Sequence, residues 1–492
     1  MVCHQIRSDG NWSQNRHELT MEIRHLIEAL TGEQLRNGSL PVSEFVIDSR
    51  EASASSLFIA LPGEHVNGHQ FVDAAFAKGA EFALIDQPGC TSHPVVDLRK
   101  GSFNPTLALP PAPFALLVDN TLLALQKSAG WWRDQFSLRV IGITGSVGKS
   151  STKELMASVL SRRFITLKSA GNMNNEIGLP LSILKLNETH EVAVLEMGFY
   201  LPGEIKLLCD IGKPQVGVVT NIGTVHAERA GSQEAIVRGK SELISALPPA
   251  PEGIAVLNYD DPWVKDMASL TKARVFYYGL TPESDLYADE IVSLGLEGIH
   301  CQLHYKGEKL FVKAPLIGRH SVYTLLRAVS VALCEGMSWE WIIFALQSSK
   351  VQLRLTTSKT TSGAMLIDDS YNASPPSTLA ALNLLDDLEG HKVAVLGDML
   401  ELGQYEHQGH WMVGIRAAEV ADKIILIGTR SKITAEAALA SGFDPSHLHW
   451  FENVDEAILH LSQTLKKGDV ILIKGSHSMQ METIVSALEE QD

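Results

Sequence analysis

The run ITGSVGKSS, Ile143 to Ser151, constrains the fold of this chain more than any other stretch. An apolar segment, RVIGIT (Arg139–Thr144), leads into it, and a helix-like segment, STKELMASVL (Ser151–Leu160), leads out. A buried strand, a glycine-containing loop and a helix in that order make the setting a phosphate-binding loop needs. Gly145 and Gly148 let backbone N–H groups turn toward phosphates, and the helix N-terminus adds the positive end of its dipole. Lys149 can reach the β- and γ-phosphates, and the Ser150 hydroxyl can ligate Mg²⁺. Gly145, Ser146, Gly148, Lys149, Ser150 and Ser151 are therefore the expected nucleotide contacts. One position departs from the usual spacing: Ile143 stands where a glycine is common, five residues before Gly148. No NKxD guanine signature accompanies the loop, which weakens a GTPase reading.

Such a loop belongs at the edge of a parallel sheet, and the flanking sequence agrees. EVAVLE (Glu191–Glu196), QVGVVT (Gln215–Thr220) and GIAVLN (Gly253–Asn258) are β-branched and apolar on both faces, as buried parallel strands are. RVFYYG (Arg274–Gly279) continues the series. A second series follows: AMLIDD (Ala364–Asp369), KVAVLGD (Lys392–Asp398), KIILIG (Lys423–Gly428) and DVILIKG (Asp469–Gly475). Its spacing, with helices between, predicts a Rossmann-like sheet. Upstream, SLFIAL (Ser56–Leu61), a helix-like run from His69 to Lys78 and EFALID (Glu81–Asp86) predict a smaller αβ unit. The Pro- and Gly-rich stretch from Pro88 to Pro113 reads as an irregular connection or domain edge. The expected class is α/β with three domains: residues 21–115, a central domain 116–336, and a C-terminal domain 337–492.

A chain of 492 residues fits that division. The net charge of −16 opposes nucleic acid and anionic membrane surfaces as partners, but not small anions held at a local cationic site. The five cysteines, Cys3, Cys90, Cys209, Cys301 and Cys334, lie far apart and in no metal or redox spacing, so reduced thiols are expected. The first twenty residues lack an apolar signal core, and no run of 18 apolar residues occurs. A cytoplasmic protein without a membrane span is expected.

Ligands of parallel sheets gather at the carboxyl ends of the strands. Glu196 ends its strand there, where a carboxylate either faces solvent or holds a metal or its water. His226, in NIGTVHAE just past the next strand, is either a structural histidine or part of the same site. Mg²⁺ prefers oxygen, so histidine would be an unusual ligand.

Taken together, GNMNNEIGLPLSIL (Gly171–Leu184), LEMG, PGEI, VTNIGTVHAE, VRGKSEL, IDDSYNASP (Ile367–Pro375) and GDMLELG (Gly397–Gly403) resemble the Mur ligases. The resemblance runs from about residue 43 to 488. Val46–Asp86 is similar to the uridine-binding N-terminal domain of that family. The last two motifs favour the branch that joins D-alanyl-D-alanine to UDP-N-acetylmuramoyl-tripeptide, and a diaminopimelate-type DNPR signature is absent. The resemblance implies an ATP-dependent amide ligase of cytoplasmic peptidoglycan precursor synthesis, working as a monomer through an acyl phosphate. It implies two Mg²⁺ ions, with Ser150 and Glu196 on the nucleotide ion and His226 on the other. It makes Lys149, His226 and Lys240 the catalytic set, with Lys240 carbamylated and serving as an anionic metal ligand. Without the resemblance, Lys240 reads as a lysine on a helix surface. The matching motifs further assign Asn258, Arg354, Asp369, Tyr371 and Asn372 to the nucleotide. They assign Ser49 and Arg50 to the uridine nucleotide, Asn174 and Asn175 to the muramoyl peptide, and His477 to the incoming dipeptide. Turn chemistry alone also accounts for polar loop residues of this kind.

The chain departs from the family pattern in four places. Gly198-Phe199-Tyr200 stands for GAN, GRHSVYT (Gly318–Thr324) for GRHNxxN, VQLR for the PGR motif, and KGSH for KGSR. These bear on the adenine contacts and the dipeptide site. Alternatives are a related ligase using another amine or acyl acceptor, and a nucleotide-binding regulator without catalysis.

Overall fold

A computed structural model of the chain describes residues 19–35, 39–63, 66–105, 108–223, 228, 231–348 and 356–489. These form two compact units, one reaching to Phe136 and including Leu184–Thr189, the other holding the remainder from Ser137. Among the described residues no helix is long and apolar enough to cross a membrane.

In the first unit, β1 (Glu44–Val46), β2 (Ser56–Ile59), β3 (Phe82–Ile85), β4 (Val95–Asp97) and β5 (Phe114–Leu117) form a parallel sheet in the order β1-β2-β3-β5-β4. Residues 88–113 are thus no domain edge. They carry β4 and lead into β5 within one sheet, which runs past residue 115. β4 escapes a pattern search because it has three residues and is partly exposed along its length.

The second unit contains two sheets. The larger is built from β6 (Arg139–Thr144), β7 (Thr166–Lys168), β8 (Val192–Glu196), β9 (Val216–Val219), β10 (Ile254–Asn258), β11 (Arg274–Gly279), β12 (Leu286–Ser293), β13 (Ile299–Tyr305) and β14 (Glu308–Ala314). Its order is β14-β13-β12-β11-β10-β9-β6-β8-β7, parallel from β7 through β12 and antiparallel beyond. β6 lies between β8 and β9, so its carboxyl end opens at a point where the strand order changes direction. Helices Lys149–Leu160 and Val322–Cys334 pack on each other and on this sheet, burying Leu155, Met156, Val159, Leu325, Leu326 and Val329.

The smaller sheet holds β15 (Thr356–Lys359), β16 (Met365–Asp368), β17 (His391–Gly397), β18 (Lys423–Ile427), β19 (Leu448–Phe451) and β20 (Asp469–Lys474). The order β15-β16-β20-β17-β18-β19 is parallel except for β15 at one edge. Cys90, Cys209, Cys301 and Cys334 are all free thiols.

Candidate functional site

The loop after β6 needs glycine at two positions. Gly145 has φ +140°, and a Cβ on it would lie 1.9 Å from the Thr220 hydroxyl oxygen. Gly148 has φ +85° and caps the helix Lys149–Leu160. The loop is tied to the segment after β9. The Ser146 backbone N–H donates to the Asn221 carbonyl at 3.0 Å, and the Val147 N–H to Asn221 Oδ1 at 3.0 Å. The Thr220 hydroxyl donates to the Val147 carbonyl at 2.7 Å, and the Gly223 N–H to Ser146 Oγ at 2.8 Å. Lys149 Nζ folds back over the loop, donating to the Gly145 carbonyl at 2.9 Å and the Ser146 carbonyl at 3.4 Å. Ser150 and Ser151 occupy the first helical turn, half-buried.

Glu196 is the hub beside this loop. It ends β8, is buried, and accepts from Ser150 Oγ at 2.7 Å and Asn174 Nδ2 at 2.9 Å. Of the two readings left open for it, solvent exposure is therefore excluded. The Lys153 ammonium lies 3.7 Å from its carboxylate and donates to the Gly171 carbonyl at 2.6 Å. The Ser169 hydroxyl accepts the Glu196 backbone N–H at 3.1 Å. Lys153 and Ser169 were not legible from sequence. Lys153 lies inside the helix pattern, and Ser169 follows a strand too short to recognise. The Asn175 Oδ1 accepts from the Ile177 and Gly178 N–H groups, at the start of the helix Gly178–Ile183.

The Ser150 hydroxyl and Glu196 carboxylate are hard oxygen donors side by side, a set that suits Mg²⁺. Among the described residues no group of three or more His, Cys, Asp or Glu is arranged around one point to hold a metal. An ion here would complete its shell with phosphate oxygens and water, as Mg²⁺ at nucleotide sites does.

Lys240 is buried on the helix Gln233–Ser245, not displayed on its surface. Its Nζ donates to the Gly145 carbonyl at 3.1 Å and lies 4.7 Å over the Phe199 ring. Burial, and then the neighbouring Lys149 charge, hold its pKa well below the ordinary lysine value. The ring favours a cation, whereas burial disfavours one. Phe199, one of the departures from the family pattern, is thus a direct neighbour of this lysine.

Asn258, buried at the end of β10, accepts the Asp260 N–H at 3.1 Å. In the smaller sheet, Lys474 at the end of β20 gathers the loop after β16. Its Nζ donates to Asp369 Oδ2 at 2.6 Å and to the Asn372 carbonyl at 2.9 Å. Lys474 is nearly inaccessible and is a further residue the sequence did not single out. Tyr371 and His477 face each other with ring centroids 5.5 Å apart, and His477 is exposed. In the first unit, Ser49 opens a short turn, and Arg50 points outward with its guanidinium on Asp48 at 2.6–3.0 Å. That hydrogen bonding lowers the Asp48 pKa to about 2. His226 and Arg354 lie outside the described residues. The structure thus joins Lys149, Ser150, Asn174, Glu196 and Lys240 around one loop, and Asp369, Tyr371, Asn372 and His477 around a second.

Three family profiles match the chain: the Mur ligase family catalytic domain at residues 41–108, the Mur ligase middle domain at 143–332, and the Mur ligase glutamate ligase domain at 353–477. The UDP-N-acetylmuramoyl-tripeptide–D-alanyl-D-alanine ligase of Bacillus subtilis is 36% identical over 448 residues, 90% of this chain and 92% of that protein. The crystal structure of MurF from Acinetobacter baumannii superposes with a TM-score of 0.81 at 31% identity, covering 96% of this chain and 99% of its own. The MurF ligase from Thermotoga maritima, solved in complex with ADP, gives a TM-score of 0.75 at 27% identity over 91% and 97%. Loop, sheet order and sequence relatives agree that this chain belongs to the Mur ligase family, alongside its D-alanyl-D-alanine-adding ligases.

Proposed function

We propose that the chain is an ATP-dependent amide ligase that joins D-alanyl-D-alanine to UDP-N-acetylmuramoyl-tripeptide in peptidoglycan precursor synthesis. The observation that carries this reading is the convergence of Lys149, Ser150 and Glu196 at the carboxyl ends of adjacent strands, in a chain whose relatives bear that activity. A carboxylate is a poor electrophile, so the reaction must first give it a leaving group. A carboxylate oxygen of the tripeptide attacks the γ-phosphorus of ATP, the bond to ADP breaks, and an acyl phosphate forms. The amine of the dipeptide then attacks the acyl carbon. The tetrahedral adduct loses phosphate, the nitrogen loses a proton, and the amide remains.

Two anions meet in the first step, so positive charge and hydrogen-bond donors must already be in place. Lys149 supplies charge over the loop, and the helix N-terminus at Gly148 supplies oriented N–H groups. Ser150 and Glu196 would hold Mg²⁺, which, when bound, neutralises the transferring phosphoryl group. Asn174 and Lys153 hold the Glu196 carboxylate in place for this. Lys240, whose pKa burial holds well below the ordinary lysine value, is suited to carbamylation, and the carbamate would offer an oxygen ligand at the loop. In this reading His226 would serve a second ion. Asn258, Arg354, Asp369, Tyr371 and Asn372 would attend the nucleotide, Ser49 and Arg50 the uridine, and Asn174 and His477 the peptide substrates. Asn175 supports the helix that Asn174 precedes. ATP and a nucleotide-activated sugar peptide are cytoplasmic reagents, so the reading carries a cytoplasmic location.

The test is ligation followed by mass spectrometry, with UDP-N-acetylmuramoyl-tripeptide offered a panel of amino acids and dipeptides. D-alanyl-D-alanine should give the pentapeptide with one ADP formed per product. Preference for another amine would overturn the substrate assignment, and no product with any of them would overturn ligation.

A further inference from the structure

Arg327 lies in the middle of the apolar helix Val322–Cys334 and is almost wholly buried, yet among the described residues no carboxylate lies within ion-pair distance of it. Its partners are neutral. Nη1 donates to the Thr152 hydroxyl at 2.9 Å, and Nε donates to the Tyr278 hydroxyl at 2.9 Å. Both lead to the phosphate loop. Thr152 stands in the first turn of the helix that Gly148 caps, and Nη1 is 3.1 Å from where a Cβ of Gly148 would be. Tyr278 donates in turn to the Val219 and Thr220 carbonyls at 3.2 Å, and Thr220 holds the Val147 carbonyl. One guanidinium therefore braces both the exit and the middle of the loop. One turn earlier on the same helix, the Tyr323 hydroxyl donates to Asp260 at 3.0 Å, beside Asn258.

A guanidinium stays charged in any protein setting. It meets two hydroxyls and, 5.8 Å from its central carbon, the face of the Tyr278 ring, which offsets part of the cost of burial. Among the described residues no carboxylate pairs with it, and a buried charge without an opposite partner is costly. The group that would compensate it is a polyphosphate seated on the loop it braces. We propose that Arg327 is a positioning residue of the phosphate loop whose uncompensated charge makes the site select polyphosphate over the bare nucleoside. The proposal rests on the nucleotide reading of this loop. It does not require Arg327 to touch the ligand: the charge acts across the loop, where burial weakens screening.

The experiment is titration calorimetry of the full chain with ADP and with adenosine, comparing the parent protein with Arg327→Met and Arg327→Lys. Loss of charge in Arg327→Met should weaken ADP by about tenfold or more and change adenosine far less. Arg327→Lys should keep the ADP-to-adenosine ratio within roughly threefold of the parent, since it keeps the charge. A merely structural role would weaken both ligands alike in both variants, and that result overturns the proposal. If Arg327→Met does not fold, Arg327→Lys decides, because a folded lysine variant that loses the ADP preference also overturns it. A parent protein that binds no ADP would instead refute the nucleotide reading of the loop itself.

Discussion

Replacing Glu196 by glutamine should break two things that a second substitution can separate. Glutamine keeps the volume but removes a charge from a carboxylate that is only 2% exposed. The side chain still meets Ser150 and Asn174, but the Lys153 ammonium, itself 1% exposed, loses the carboxylate 3.7 Å away. Stranding one member of a buried pair costs about 3–5 kcal/mol. Lys153 retains the Gly171 carbonyl at 2.6 Å and the Glu154 carboxylate at 3.4 Å. The cost should therefore fall to about 2–3 kcal/mol. Adding Lys153→Met removes the stranded charge and should restore most of that stability. The chemistry should not return, because the anionic oxygen beside Ser150 is still missing. Loss of one preorganised electrostatic group at phosphoryl transfer slows the step on the order of 10²–10³-fold. Urea unfolding and ADP release would be measured on Glu196→Gln, Lys153→Met and the double variant. A double variant that regains turnover would show that Glu196 is only the counter-ion of Lys153. A Glu196→Gln protein as stable as the parent would refute the buried-pair argument.

Lys149→Ala should leave folding intact and lower ligation on the order of 10²–10³-fold, since the side chain lies over the loop and not in the core; a spectrophotometric ADP assay checks it. Lys240→Arg should be nearly as damaging as Lys240→Ala, because arginine keeps a cation but forms no carbamate; substantial turnover in Lys240→Arg would mean the lysine acts as a cation. His410 is buried with its Nε2 accepting the Met399 N–H at 3.2 Å and its ring nitrogen Nδ1 on Thr434 at 3.0 Å. Burial holds its pKa below the unfolded value, against the pull of Asp398, so the neutral form belongs to the folded state. Its contribution is whole above about pH 6.5 and is lost as pH falls through the lowered folded value, so the unfolding midpoint should drop on acidification and His410→Gln should flatten that drop.

What could be read in advance follows from how each segment is buried. β6, β8, β9 and β10 are buried along almost their whole length, so they appear as continuous apolar runs. β14 alternates exposed and buried residues around two lysines, and β12 mixes both kinds, so neither carries that signal. β15 is TTSK and β19 is LHWF, short edge strands whose pairing is decided by the neighbouring sheet. The loop itself was legible because its glycines answer a local backbone demand. The contact of Asn174 with Glu196 was not legible: the motif resemblance assigns Asn174 to the muramoyl peptide, and the fold, not sequence spacing, brings the two residues together. Lys240 needed the fold more than any other site residue, because its helix pattern looks like a surface although the side chain is buried, with the Phe199 ring 4.7 Å from its Nζ. Arg327 and Lys153 gave no local sign, and Lys474 showed only as the first residue of KGSH. Each is a buried cation whose meaning comes from partners 18 to 175 residues away in the chain.

The most direct test of the account follows oxygen through the reaction. UDP-N-acetylmuramoyl-tripeptide labelled with ¹⁸O in its reacting carboxylate would be ligated to D-alanyl-D-alanine with unlabelled ATP, and the phosphate released would be analysed by mass spectrometry. Attack of the carboxylate on the γ-phosphorus moves one carboxylate oxygen to phosphate, so one ¹⁸O should appear in phosphate for each amide formed. Phosphate free of label beside labelled pentapeptide would mean that the carboxylate is never phosphorylated, and the chemistry assigned to Lys149, Ser150 and Glu196 would be wrong.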